Sequence, residues 1–205
     1  MTGQTPRTTR MDANAGSVPG TEPVRLRHPG TAVLLIDLQE RTARTLRHHR
    51  TVVRRAGRLV AGANALAAPV LIAEQTPRAL GATVGEIAAQ VPGAVFTREA
   101  PTLSALNDRL RRALDALAVR AVVLAGGEAH TAVLHTALDL RATGRGVAVC
   151  HDAVSSRRSD DLRPALDRLT QAGVVPVSVE SVLLELADPA DEAAFRRLRE
   201  VLRSD

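Results

Sequence analysis

The sequence predicts an α/β protein whose parallel sheet is covered on both faces by helices. Three observations predict it. Six short runs, at 32–36, 69–73, 93–96, 121–125, 146–150 and 173–177, are apolar throughout. Strands of that kind are buried on both faces, as in parallel sheets under helices, whereas half-exposed strands alternate. The intervening segments carry apolar residues at helical spacing, at roughly 43–67, 103–117, 130–142, 159–172, 180–187 and 190–203. Aromatic residues are 1% of the chain, two Phe and no Tyr or Trp, so the core has to be built from Leu, Val, Ile and Ala.

Residues 1–28 are rich in Thr, Gly, Pro and Arg and show no apolar period, so a flexible tail is expected there and a single domain over 29–205. The first run, Ala32-Val33-Leu34-Leu35-Ile36, ends in Asp37-Leu38-Gln39. A carboxylate directly after five apolar residues is costly unless paired or used. Asp37 reads either as a partly buried acid or base or as the cap of the following helix. The second run exits into Glu74-Gln75-Thr76-Pro77, whose polar side chains either line a pocket or bond the loop. After the third run come Thr97, Arg98 and Glu99, a solvated pair or a source of positive charge for a pocket.

The fourth run continues into Gly126-Gly127-Glu128-Ala129-His130-Thr131-Ala132. Two glycines between strand and helix permit a tight turn, and the free N–H groups of the helix start suit an anion or oxyanion. His130 reads as pocket-lining or as a capping residue. The fifth run leads through Cys150 and His151 to Asp152-Ala153-Val154-Ser155-Ser156-Arg157, where Asp152 and the serines are expected to cap the next helix. Cys150, inside an apolar strand, reads as an inert core thiol. Its neighbour His151 points to the opposite face, which argues against a Cys/His nucleophilic pair. No cluster has metal-ligand spacing, and no cofactor is implied.

All 27 basic residues are Arg, since the chain has no Lys, and the formal net charge is +5. Counted against 22 acids the arginines look dispersed, and there are no aromatics to stack on bases, so nucleic-acid binding is not expected. One cysteine, no signal-peptide pattern and no long apolar run point to a cytoplasmic protein without membrane attachment.

The ordered set Ala32 to Gln39, Pro69 to Pro77, Gly126 to His130, Thr136-Ala137-Leu138-Asp139-Leu140 and Asp152 to Arg157 resembles the isochorismatase-like (cysteine hydrolase) family over about residues 30–187. It is closest in pattern to the small isochorismatase-domain hydrolases. The resemblance implies a Rossmann-like three-layer α/β/α fold with a six-stranded parallel sheet and a homodimer or homotetramer. It also implies a catalytic Asp after the first strand, a Lys after the third, and a Cys at the start of the helix after the fourth. A non-proline cis peptide often precedes that Cys. Carried over, Asp37 falls on the Asp, Thr97 on the Lys with Arg98 beside it, and Ala132 on the Cys.

The resemblance therefore implies Asp37 as the catalytic residue, with Gln39, Gln75, Thr97, Arg98, Glu128, His130, Thr131 and Ala132 around a small-molecule site. Two functions remain open. One is a cysteine-independent enzyme, because isochorismatases of this family also lack the Cys and use their Asp to protonate a vinyl ether. The other is an inactive member that binds a small ligand or a partner protein. The Asp-x-His metal motif of the related nicotinamidases is absent from the sequence.

Overall fold

The computed structural model describes residues 24–99, 102–188 and 190–203. In chain order the elements are β1 (Thr31–Ile36), α1 (Glu40–Ala43), α2 (His49–Ala65), β2 (Val70–Gln75), α3 (Pro77–Leu80), α4 (Gly85–Ala88), β3 (Val95–Arg98), α5 (Asp108–Ala116) and β4 (Ala121–Gly127). A π-helical turn (Ala129–Val133) then runs into α6 (Leu134–Ala142), followed by β5 (Gly146–Ser155), α7 (Ser159–Gln171), β6 (Val175–Val177), α8 (Val179–Leu186) and α9 (Glu192–Arg203).

The six strands pair in the order β3-β2-β1-β4-β5-β6, every neighbouring pair parallel. All six residues of β1 are buried, as its unbroken apolar run requires. Val33 and Leu35 face one layer, packed with Val52, Leu59 and Val60 of α2 and Leu183 of α8. Ala32, Leu34 and Ile36 face the other, with Leu110 and Leu114 of α5 and Leu140 of α6. Fully burying each such aliphatic side chain contributes about 1.5–3 kcal/mol, and the alternation along β1 loads both layers. Gly62 lets α2 approach α8, since a Cβ there would lie 2.5 Å from Leu183.

Helix starts are fixed locally. Asn107 caps α5 by accepting from the Leu110 N–H (2.9 Å), and Ser178 and Ser181 form a capping box on α8. Three expectations shift. The expected tail over residues 1–28 lies outside the described residues as far as 23, but its last residues join the domain: Leu26 is buried and its N–H donates to Glu185 (3.0 Å). β5 runs on to Ser155. Asp152 caps not α7 but α8, accepting from the Val179 N–H (3.0 Å).

The strand order reverses between β1 and β4, and in open parallel sheets the crevice at such a switch point is where ligands bind. Asp37 leaves β1 there, and Ile36 pairs with Gly126 of β4.

Candidate active site

Asp37 sits immediately past β1 in the left-handed region (φ 51°), a conformation that costs an L-residue about 1–2 kcal/mol. Its own backbone holds it there. The Asp37 N–H donates to Ala73 O (3.0 Å), and its carbonyl accepts from Thr42 Oγ1 (2.6 Å). The turn aims the carboxylate over the end of β2 towards β3. There Arg98, in register with Gln75, reaches back across β2. Arg98 donates from Nη1 to Oδ1 (3.1 Å) and from Nη2 to Oδ2 (2.5 Å), a bidentate pair with both side chains under a tenth exposed. Arg98 Nη2 also donates to Gln75 Oε1 (3.3 Å).

Burial pushes the Asp37 carboxyl above its ordinary value, against the opposing charge and hydrogen bonds of Arg98. A raised acid beside a cation at a strand end marks a candidate functional site.

A cavity of about 310 Å³ opens over Asp37, while Arg98, expected at the site, is not part of its lining and holds the carboxylate from outside. Asp37, Gln75, Glu128, Thr131 and Ala132, all expected at the site, line it, together with Thr42, Thr45, Leu46, Thr102, Leu103, Gly127 and Arg157. Gly126 (φ +123°) is required by close approach, because a Cβ would stand 2.1 Å from the Ile36 carbonyl oxygen. The Gly127–Glu128 peptide is cis, as the resemblance implied. Glu128 accepts from the backbone N–H (3.1 Å) and Nε (2.6 Å) of Arg157 and so fixes that arginine beside the cavity.

Three expected pocket residues do other work. Thr97 is exposed, and its carbonyl accepts from Asn107 (3.2 Å). Successive strand residues face opposite sides, so of the two neighbours it is Arg98 and not Thr97 that faces Asp37. Gln39 is fully buried outside the cavity. Its amide donates to Gln75 O (3.0 Å) and Gly81 O (2.6 Å) and accepts from Gln75 N (2.9 Å), which clamps the β2 exit. His130 stands beside the cavity, bonded through Nδ1 to Ser156 Oγ (2.9 Å), with Glu128 and Asp161 near its Nε2. Glu74 bonds the loop by accepting from the Thr83 N–H and hydroxyl, both at 2.7 Å.

Cys150 is fully buried in the layer under α2 and α8, and burial raises its thiol far above the ordinary range. It takes no part in the cavity. Among the described residues no group of three or more His, Cys, Asp or Glu side chains is placed to hold a metal ion, and no helix is long and apolar enough to cross a membrane.

The fold and site define a three-layer α/β protein with a crevice at the sheet's switch point. The isochorismatase domain model matches residues 31–181, and the chain belongs to that family. Isochorismatase domain-containing protein 2 of Danio rerio is 34% identical over 179 residues, 87% of this chain and 89% of that protein. Isochorismatase domain-containing protein 1 of the same species is 34% identical over 85% of this chain, which spans 62% of that longer protein. Among solved structures, MAR1 ribonuclease from Caenorhabditis elegans superposes with a TM-score of 0.82 at 30% identity, covering 88% of this chain and 94% of that one. The YcaC gene product of Escherichia coli, described as an octameric hydrolase of unknown specificity, gives 0.79 at 25% identity, covering 88% and 92%.

Proposed function

We propose that the chain is a cysteine-independent hydrolase or lyase acting on a small molecule, with Asp37 as the acid/base residue. The observation that supports this most is Asp37, held by Arg98 from outside the cavity, lining the same cavity as Ala132. At the helix start after β4, where the resemblance implied a nucleophilic Cys, a methyl group leaves room for substrate or water.

Arg98 serves as a hydrogen-bond donor and fixed charge, not as an acid or base. It holds the carboxylate by one lone pair on each oxygen and leaves the others for proton transfer. For a vinyl ether, the protonated Asp37 delivers its proton to the terminal alkene carbon, forming the C–H bond. The ether oxygen then stabilises the resulting cation, and water adds to the cationic carbon. The hemiketal collapses to a carbonyl compound and an alcohol, and the proton released from the added water restores Asp37. Gln75 and Thr131 supply hydrogen bonds within the cavity. Like the octameric relative, the chain is proposed to form a homo-oligomer, and its location is proposed as cytoplasmic.

A ligand-binding member without chemistry is the alternative, and it is favoured by the engagement of both Asp37 oxygens with Arg98. The test is to incubate the chain and its Asp37→Asn variant with a panel of vinyl ethers, esters and amides, reading products by mass spectrometry. Turnover by the wild type that the folded variant lacks supports the enzyme. An unreactive wild type that nevertheless binds panel members supports the alternative.

A further inference from the structure

Counted along the whole chain the arginines look dispersed, but the fold gathers them. Residues 41–58 hold seven of the 27 and no Asp or Glu, while the rest of the chain has 20 arginines against 22 acids. The whole positive excess therefore sits on α1, α2 and the turn between them. The buried residues Val52, Ala56, Leu59, Val60 and Ala63 define the inner face of α2. Arg50, Arg54 and Arg58 follow one another at i, i+4 on the opposite side. Like charges at that spacing repel one another along the helix, and α2 itself carries no Asp or Glu.

Arg44, Arg50 and Arg54 are exposed, and none has an ion-pair partner among the described residues. With His49 they line a cavity of about 710 Å³ between α1, α2 and α4, where Glu40 and Glu86 are the only acids. A second hollow of about 240 Å³ shares Arg54 with it and continues along α2.

We propose that this face binds the phosphate backbone of a single-stranded nucleic acid, which reverses the expectation drawn from dispersed arginines. Guanidinium groups bond phosphate oxygens bidentately. A rise of about 6 Å between i and i+4 on the helix is comparable to the spacing of neighbouring phosphates on one strand. Neither Phe96 nor Phe195 lines either hollow, so contact is to the backbone without base stacking. A membrane surface fits less well, because the exposed large hydrophobics (Leu103, Leu117, Val175, Leu184) all lie off this face. The site is separate from the Asp37 cavity and does not depend on its chemistry.

The test is fluorescence anisotropy with labelled oligouridylate and oligothymidylate between about 50 and 200 mM salt. The wild type is expected to bind both with Kd of about 10⁻⁴–10⁻⁶ M, falling steeply with salt. The Arg44→Gln/Arg50→Gln/Arg54→Gln variant should lose about tenfold or more in affinity, and its log–log salt slope should be shallower by about 2. The Arg111→Gln/Arg112→Gln/Arg168→Gln variant, with the same change in net charge on α5 and α7, should bind like the wild type. Equal affinity for the two polymers supports a pure backbone contact, and tighter RNA binding adds a 2′-hydroxyl contact. The proposal is overturned if the wild type fails to bind, if the control triple loses as much, if the face instead binds anionic vesicles, or if sedimentation shows these arginines holding two copies of the chain together.

Discussion

Replacing Arg98 by Met separates the two influences on Asp37. Met keeps most of the aliphatic stem and removes the guanidinium. The Arg98 side chain is 5% exposed and that of Asp37 8%, so the variant strands a carboxylate in a dry site. Breaking a buried pair in this way costs about 3–5 kcal/mol. Asp37 has one escape, which is to take up a proton. Burial already raises its carboxyl, with Arg98 opposing, and loss of Arg98 raises it further. The folded state then binds the proton more tightly than the unfolded chain does. Stability is fully present below the unfolded value of about 3.9 and is lost as pH rises through the folded one, by about 1.4 kcal/mol per unit within that window. The deficit against wild type should therefore be small near pH 5 and approach its full size by pH 8, a drop in Tm on the order of 10 °C for a chain of this length. Urea denaturation of both proteins at the two pH values measures it. A deficit equal at both pH values, or below about 1 kcal/mol at pH 8, would show that Asp37 is not a buried carboxylate held by Arg98.

Other substitutions probe the surroundings. Gly126→Ala forces a Cβ to within 2.1 Å of the Ile36 oxygen at positive φ and should cost about 3 kcal/mol or more, whereas Gly85→Ala meets nothing within 4 Å and should be neutral or slightly stabilising in the same melts. Gln39→Leu strands the Gln75 and Gly81 backbone groups; at about 1–3 kcal/mol per unsatisfied group, a loss of several kcal/mol is expected by chemical denaturation. Ala132→Cys should place a reactive thiol in the cavity at a helix start, where its pKa falls, so iodoacetamide should label the variant quickly. The wild type, with only the buried Cys150, should be labelled only on unfolding.

Much of this was legible in the residues. Strands apolar at every position announced a doubly covered parallel sheet, and the Asp after the first strand and the Gly-Gly after the fourth marked where the site would lie. What was hidden depended on direction. β3 is four residues long, too short for its own pattern to show whether Thr97 or Arg98 faces inward; pairing of Gln75 with Arg98 decides it. Gln39 looked like a pocket residue because nothing local shows that the left-handed turn at Asp37 sends the chain over the β2 exit. β5 continues past Cys150 because β4 still pairs with it at Val154 and Ser155, while β6 covers it only as far as Cys150; the polar His151 and Asp152 hid that extension. Helices α3 and α4, at four residues each, are too short to show a period. Arg157 lies in a motif whose serines look like helix caps, and only the contact with Glu128 brings it to the cavity.

Asp37, without any cysteine, is proposed to carry the chemistry. On whichever panel member the chain turns over, kcat/KM of the wild type, Cys150→Ala and Asp37→Asn proteins, each shown to be folded, tests it most directly. Cys150→Ala should stay close to wild type and Asp37→Asn should fall by about 10² or more. An inactive Cys150→Ala variant, or an Asp37→Asn variant with wild-type turnover, would contradict it.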